Sequence, residues 1–370
     1  MRSGAILPTS MRIEVLPRVP AELVAELGVT TPAYRLGELE RHHVVQRRRG
    51  TDIAYVVALR TAGMPLGLLP VYQLSQPLDP SLDPGGLFTG GHARVGSRPC
   101  SAGGAGGYAN HLLLRPALAE GERLAAVRAM FAAARELATG AGCTAILVPD
   151  LDPAQAEWLA EIAREATAVA TREKAILPVE WDDFSGYLAA LPRKRRWQVR
   201  QERRAMAESG IEVREESLED VAIDLAPLLA QTQRRHGEVG DPDGAQFYLT
   251  MLAMTPGAET RALVGYSAGA PVAFSVVLRR GGMWAVRAFG RDYAVPDHSE
   301  YFNLTYYEPI ARAAVAGGEA IDFGVGSLPA KRFRGCRLQP LRTLLLPAAA
   351  PPAGRAVAGF GDTTNPRPGP

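Results

Sequence analysis

The chain repeats one order of secondary-structure patterns, and this repetition limits its fold more than any other feature. In the second half, three strands joined by tight turns precede a helix and a further strand, predicted at 262–266, 271–278, 283–289, about 300–316 and 320–325. In the first half, two strands precede a helix and a further strand, predicted at 54–60, 66–72, about 120–137 and 143–148. A degenerate internal duplication explains this pattern better than two unrelated α/β units.

The two repeats differ in length, which locates an insertion. Residues 62–63 match 268–269 at an offset of 206, whereas residues 134–135 match 311–312 at an offset of 177, so the first half holds 29 additional residues. A Pro/Gly-rich loop is the natural place for them. We therefore predict an N-terminal domain over 11–178, with an inserted loop at 73–110. A C-terminal domain is predicted over 179–347, followed by a disordered tail over 348–370.

Composition excludes several classes of protein. With 370 residues, 47% hydrophobic and 22% charged, the chain is not collagen-like, coiled-coil or wholly disordered. Lysine is rare, because only Lys174, Lys194 and Lys331 occur among 41 basic residues, and the formal net charge of +2 requires no nucleic-acid partner. The sequence has neither a run of 18 apolar residues nor a secretory signal core, so we expect a cytoplasmic protein without a membrane span.

The cysteines and histidines predict no metal site. Cys100, Cys143 and Cys336 are odd in number, widely spaced and without a C-x-x-C pair, so the sequence predicts neither a disulfide framework nor a zinc site. The six histidines also lack metal-ligand spacing. A G-x-S-x-G elbow is absent, which disfavours a serine hydrolase.

The most distinctive segment of the chain, 184–213, is strongly basic. Pro192 and Gly210 predict where its main helix begins and ends, and Trp197 and Met206 are predicted to anchor that helix. Cations at spacings of three and four form a stripe, and three of them cluster near the helix start, which suits phosphate binding. An ordinary solvated face is an equally good explanation. The candidate phosphate-binding residues are Lys194, Arg195, Arg196, Arg200 and Arg203.

A second segment, 322–341, combines a strand end with glycines and cations. Gly324 and Gly326 can leave backbone amides facing an anionic group. The G-x-x-x-x-G-K-[ST] pattern of a phosphate loop is absent, and a turn with surface cations remains an equal alternative. No strand is predicted to lead into the glycine run at 103–107, which therefore favours a flexible loop. The cations of the second segment are Lys331, Arg332 and Arg334.

The segments 181–211, 231–237 and 300–335, in this order, resemble the GNAT-fold proteins of the Fem type, and more closely the group of peptidoglycan biosynthesis or recognition proteins. The resemblance covers about residues 180–345 well and the first half only through its architecture. It implies an α/β (α+β) protein of two tandem GNAT-like domains, each a mixed, mostly antiparallel sheet flanked by helices. This implication agrees with the internal duplication.

The resemblance also implies chemistry, in which an amine attacks the acyl carbonyl of a coenzyme A thioester or of an aminoacyl-tRNA. Segment 289–303 lacks the Q/R-x-x-G-x-G/A pattern with which acyl-CoA users bind pyrophosphate, and this argues against acetyl-CoA in that half. Lys331, with Arg334 and Gly335, matches the K-x-x-R-G pattern of the Fem reaction centre. The sequence departs from the family pattern in two ways. It has Asn303 where the closer group often has glutamate, and it lacks the coiled-coil arm.

From this resemblance we expect an amide-forming aminoacyltransferase that uses aminoacyl-tRNA and the amine of a small molecule or peptide, in natural-product or cell-wall biosynthesis. Lys331, supported by Arg334, is the candidate for stabilising the oxyanion or a 3′-phosphate, and Arg334 is also a candidate for binding the phosphates of the donor tRNA. Tyr301, Tyr306 and Asp322 are candidates for the amine proton or for orientation. No metal or bound cofactor is expected. The alternatives are an acyl-CoA-dependent N-acyltransferase and a non-catalytic protein that binds a cell-wall or metabolite fragment.

Overall fold

The computed structural model describes residues 11–19, 21–28, 33–48, 50–73, 100–103, 108–110, 112–163, 166–255 and 257–348. The predicted insertion at 73–110 lies mostly outside these ranges, as does the predicted tail except for residue 348.

The chain divides into two compact units. Unit 1 comprises residues 1–35, 42–172 and 340–370, and unit 2 comprises residues 36–41 and 173–339. The sequence-based ranges assign 340–347 to the second domain, whereas the structure assigns these residues to unit 1. The reason is a strand pairing far apart in sequence, because Arg342 to Pro347 pair antiparallel with Leu151 to Ala145.

In unit 1 the sheet has the strand order β1-β2-β3-β4-β6-β13, with β5 paired to β3. Neighbouring strands are antiparallel except β4 and β6, which are parallel. Helix α3 is amphipathic, and its buried residues, among them Val127, Phe131 and Ala134, recur every three or four positions and pack in the core with β2 and β3. The elements are β1 (Met11–Leu16), α1 (Ala21–Leu27), α2 (Ala33–Arg48), β2 (Asp52–Arg60), β3 (Pro65–Gln73), β4 (Cys100–Ala102), β5 (Leu113–Leu114), α3 (Glu120–Gly140), β6 (Ala145–Leu151), α4 (Pro153–Ile162), the start of β7 (Thr167–Pro178) and most of β13 (Arg337–Pro347).

In unit 2 the strand order is β8-β9-β10-β11-β12-β7, and here β11 and β12 form the parallel pair. Asp183 begins the first helix by accepting a hydrogen bond from the Gly186 amide, as its residue type predicts. The elements after β7 are α5 (Phe184–Ala190), α6 (Arg193–Glu208), β8 (Glu212–Ser217), α7 (Leu218–Arg235), α8 (Pro242–Ala253), β9 (Glu259–Ser267), β10 (Ala270–Arg280), β11 (Met283–Arg291), α9 (Glu300–Phe302), a π-helical segment (Asn303–Tyr307), α10 (Glu308–Val315), β12 (Ala320–Asp322) and α11 (Leu328–Phe333).

Both units contain the same succession of elements. In each, an antiparallel hairpin, β2–β3 or β9–β10, is followed by a third strand, a helical segment and a strand parallel to that third strand. The predicted α/β class with mostly antiparallel sheets is therefore confirmed. The predicted strand at 320–325 is shorter than expected, because β12 ends at Asp322 and Gly324 takes a positive φ of 68°.

One prediction about the cysteines is wrong. Cys100 and Cys143 form a disulfide, with their Cα atoms 6.1 Å apart, while Cys336 is a buried free thiol. The parallel pairing of β4 with β6 places Cys100 opposite Ile146, three residues from Cys143, and sequence spacing does not reveal such a pairing. Among the described helices, none has the length and apolar character needed to cross a membrane. No group of His, Cys, Asp and Glu suited to a metal ion occurs within the described ranges.

Candidate active site

The parallel strands β11 and β12 separate shortly after they meet. They pair only over Met283 to Ala285, opposite Ala320 to Asp322, and β11 then continues to Arg291 paired with β10 alone. The register between β10 and β11 shifts at this point, because Val276 pairs with Ala288 and Val277 pairs with Val286. Arg287 is thus the extra residue of a β-bulge, a feature that re-aims side chains at functional sites. The sheet of unit 2 therefore opens beyond the last pair, Ala285 and Asp322.

Buried charges line this opening. Asp322 is 3% exposed, and its carboxylate lies 3.3 Å from Arg287 Nη2 and 3.7 Å from Lys174 Nζ, while Oδ1 accepts the Gly324 amide at 2.7 Å. Two cations and an amide hold this carboxylate and favour its ionised form. Asp322 is therefore better suited to fixing the groups that line the opening than to transferring a proton. Sequence reasoning missed Arg287 and gave Lys174 no role, and the rarity of lysine was the only pointer to Lys174.

Lys331 lies on α11 and points back to the end of β12. It is 4% exposed, and Nζ donates to the carbonyl oxygens of Phe323, Gly324 and Val325 at 2.6, 3.1 and 2.7 Å. Burial lowers the pKa of this ammonium to about 8; nearby Cys336 and Asp322 act in the opposite direction. The three N–H groups are all occupied. Lys331 therefore fixes the segment that follows β12, and a contact with an oxyanion requires the exchange of one carbonyl for the donor oxygen.

Arg334 does not point to a ligand but lies in the interior of unit 2. Its side chain is 2% exposed, and Nη2 lies 2.7 Å from a Glu202 carboxylate oxygen. Nε donates to the Tyr307 hydroxyl, which itself donates to Glu202, and the guanidinium lies 3.9 Å from the ring centroid of Phe302. The predicted phosphate contact of Arg334 is corrected, since its donors are used to join α6, the π-helical segment and α11.

The two candidate tyrosines differ in access. Tyr306 is fully buried, burial raises its pKa above the usual range, and its hydroxyl lies 3.4 Å from that of Tyr301. A phenol with a raised pKa stays neutral, so Tyr306 is suited to donating a hydrogen bond and not to accepting the amine's proton. Tyr301 is half-buried and packs edge-on against Phe289, at 5.0 Å between ring centroids. Of the pair, only Tyr301 is placed to contact a substrate.

The basic helix α6 buries one side and exposes another. Val199, Glu202 and Met206 are buried, whereas Trp197 is 63% exposed, so the prediction that Trp197 anchors the helix is wrong. Nine residues separate Trp197 from Met206, which is two and a half helical turns, and the two side chains therefore lie on opposite sides. The start of α6 lies beside α11, because Arg195 Nη1 donates to the Arg332 carbonyl at 2.9 Å.

The five candidate phosphate-binding residues of α6 fall into two groups. Arg195 is held by this carbonyl, and Arg203 pairs with Glu308 and stacks on Phe184. The other three form no ion pair with any residue in the described ranges, and they are Lys194, Arg196 and Arg200.

In the loop after β11, residues 292–299, three backbone amides donate to acidic side chains within 292–300. The amides of Ala294 and Ser299 donate to Asp292 and Asp297 at 2.9 and 2.8 Å, and the His298 amide donates to Glu300 at 3.0 Å. Glu300 is buried, and desolvation raises its pKa. Carboxylates thus accept from three amides of the segment in which the acyl-CoA glycine pattern would lie. The sequence showed that a glycine pattern was missing here, but not that carboxylates take its place.

The corresponding opening of unit 1 differs. The parallel strand β4 leads directly into the glycine run at 103–107, which corrects the expectation that no strand does so, although residues 104–107 lie outside the described ranges. Gly103 has a φ of 105°, and Asp150 near the end of β6 has a φ of 59°. Asp150 also accepts hydrogen bonds from Arg172, one of them at 2.7 Å from Nε.

Comparison with known proteins supports the fold. Residues 193–332 match the family model described as the acetyltransferase (GNAT) domain. FemX is 11% identical, with a TM-score of 0.54 over 90% of this chain and 96% of FemX. A tandem GNAT protein from the clavulanic acid biosynthesis pathway is 14% identical, with a TM-score of 0.53 over 92% of this chain and 99% of that protein.

A third similar structure is the C-terminal domain of a putative lysylphosphatidylglycerol synthetase from Agrobacterium fabrum. It is 13% identical, with a TM-score of 0.53 over 88% of this chain and 91% of that domain. No curated protein matches the sequence. The chain thus has the Fem-like tandem GNAT fold that its sequence resembles, and the match to the GNAT domain model lies within unit 2.

Proposed function

We propose that the chain is an amide-forming N-acyltransferase that moves an amino acid from aminoacyl-tRNA to the amine of a small molecule or peptide. The observation that carries this proposal is the distribution of charge in unit 2. The loop 292–299, where a coenzyme A pyrophosphate would bind in this fold, uses its amides on Asp292, Asp297 and Glu300. A group of exposed cations without acidic partners lies instead on α6, whose start is beside the helix that carries Lys331. Such a surface suits a long polyanionic donor.

The proposed reaction needs little activation, because the ester of a charged tRNA is already reactive. The amine nitrogen attacks the ester carbonyl, the C–N bond forms, the C–O bond to the ribose breaks, and the amine proton passes to the leaving ribose oxygen. Positioning the amine can contribute about 7–11 kcal/mol to lowering the barrier. A single donor to the oxyanion contributes about 3–4 kcal/mol.

Three residues of the opening have distinct proposed roles. Lys331 offers a buried ammonium for the oxyanion or the 3′-phosphate, in exchange for one of its three carbonyl contacts. Asp322, held by Lys174 and Arg287, orients the opening. Tyr301, the more accessible tyrosine, orients the amine.

The test is a transfer assay with purified protein, tRNA charged with a radiolabelled amino acid, and a panel of amines. We expect an amide product that depends on charged tRNA and falls strongly in Lys331→Met. Arg214→Ala is the matched control, because Arg214 is an exposed cation of unit 2 paired with Glu212, and its product yield should equal that of the wild type. Robust turnover with an acyl-CoA and none with any charged tRNA would reject the proposal.

A second candidate, an acyl-CoA-dependent N-acyltransferase, is favoured by one observation in unit 1. There the strand β4, parallel to β6, runs directly into a glycine run of the kind that binds phosphate through backbone amides. Under this candidate, coenzyme A at about 100 times its Kd stabilises the fold by about 2.7 kcal/mol and raises the melting temperature. The aminoacyl-tRNA proposal predicts no such shift.

A further inference from the structure

The outer face of α6 carries an exposed tryptophan among cations. The outer face is the set of solvent-facing side chains that recur at spacings of one, three and four along the helix. Trp197, at 63% exposure, lies in the middle of this face, and the helix is held to unit 2 by Val199 and Met206 on its other side. Trp197 is therefore not needed for packing. The aromatic and cationic members of the outer face are Arg193, Lys194, Trp197, Arg200 and Arg204, and Gln201 and Glu208 are also exposed on it.

Most of the charge on this face is not neutralised by neighbouring acids. Arg204 pairs with Glu208 at 2.6 Å. Arg193, Lys194 and Arg200 form no ion pair with any residue that the structure describes. The aromatic ring is thus surrounded by cations available to an anionic partner.

We infer that the outer face of α6 binds unpaired nucleotides of RNA, with the Trp197 indole stacking on a base and the neighbouring cations contacting the flanking phosphates. Exposed aromatic rings within a cationic surface are the usual means of binding single strands. This inference rests on the proposed function, because the ester of a charged tRNA is on its single-stranded 3′ end. The contact between Arg195 and the Arg332 carbonyl is on the inner side of α6, and it places the start of this helix beside α11, which carries Lys331.

The chemistry of the face argues against two other partners. A duplex keeps its base faces inside the stack, so an indole gains little from it beyond the phosphates. A helix that lies on a membrane buries a continuous apolar face. Trp197 is the only large apolar side chain on the outer face of α6, and its neighbours there are charged or polar.

The experiment measures binding by fluorescence anisotropy with two probes, a labelled single-stranded RNA of about ten nucleotides and a blunt-ended RNA duplex. We expect Trp197→Ala to weaken single-strand binding by about 5- to 150-fold and to leave duplex binding unchanged. Trp197→Phe should retain part of the affinity. Ile223→Ala, which removes an exposed apolar side chain from α7 at 67% exposure, is the matched control and should bind as the wild type does. Equal thermal midpoints verify folding.

Two binding results would overturn the inference. The first is single-strand binding by Trp197→Ala at wild-type affinity. The second is a wild type that binds phosphatidylglycerol vesicles but not the single strand, together with a Trp197→Ala variant that does not bind the vesicles. This result would assign the face to a membrane. The transfer assay separates this inference from the proposed function. If Trp197→Ala loses single-strand binding but the wild type forms no transfer product, the proposed function alone is rejected. If Trp197→Ala transfers normally, the inference alone is rejected.

Discussion

Arg334 acts within the interior of unit 2, and its removal should be costly. Its side chain is 2% exposed, and its guanidinium forms an ion pair with Glu202 and donates a hydrogen bond to the Tyr307 hydroxyl. We predict that Arg334→Met lowers the free energy of unfolding by about 3–5 kcal/mol, because the Glu202 carboxylate stays buried without its partner. Urea unfolding measures this change. Arg204→Met, which breaks the exposed pair with Glu208, should unfold close to the wild type. Equal losses for the two variants would contradict the prediction.

Lys331 makes stability depend on pH in a defined direction. Its pKa is about 8 in the folded chain, against the usual 10.5 for lysine. Between about pH 8 and pH 10.5 the unfolded chain binds more protons at this lysine than the folded chain does, so the free energy of unfolding rises with pH. The cost of burying the ammonium is fully present below about pH 8. We predict a rise on the order of 1–3 kcal/mol across this window relative to Lys331→Met. Urea unfolding at a series of pH values measures it. Parallel pH profiles for the two proteins would refute this role of burial.

At the scale of the element, α6 begins unfavourably for a helix. Residues 193–196 are all cations, and Pro192 supplies no side-chain cap. The positive end of the helix dipole favours acidic residues there. We predict that Lys194→Glu raises the free energy of unfolding by about 0.3–1 kcal/mol and weakens binding of single-stranded RNA several-fold. Urea unfolding and anisotropy measure the two effects. Lys194→Gln is the control and should fall between the wild type and Lys194→Glu in both.

Opposite signs of these two effects distinguish a binding surface from a solvated face. A solvated face would gain stability from Lys194→Glu and lose no affinity for RNA.

The elements were more predictable than the contacts between them. Pro192 and Gly210 indicated the limits of α6, and a local glycine pattern predicted the turns of both hairpins, because such preferences act over a few residues. The side of α6 that is buried was predicted incorrectly for Trp197. The partner of Arg334 is 132 residues away in sequence, at Glu202, and the disulfide depends on the pairing of β4 with β6. Such contacts follow from the tertiary fold, which a single sequence does not encode in any local pattern.

At the scale of the whole molecule, the two units keep one order of elements but differ at their openings. In unit 1 the strand before the opening leads into glycines 103–104 and 106–107. In unit 2 the strand before the opening leads into a loop that uses its amides on Asp292, Asp297 and Glu300. The duplication was recognisable from strand and turn patterns. The chemical difference between the units lies in a few side chains, so the shared architecture alone assigns no donor to either unit.

The net charge of the chain is only +2, so its affinity for RNA should come from a small local surface. Four α6 cations form no ion pair within the described ranges, namely Arg193, Lys194, Arg196 and Arg200. Each phosphate contact with a single strand contributes about −0.7 to the slope of log K against log salt concentration. We predict a slope of about −3 for the wild type, reduced in magnitude by about 0.7 in Lys194→Ala and unchanged in Arg214→Ala. Anisotropy titrations at several salt concentrations measure these slopes. A much steeper slope, or one that Lys194→Ala leaves intact, would place the RNA on another surface of the molecule.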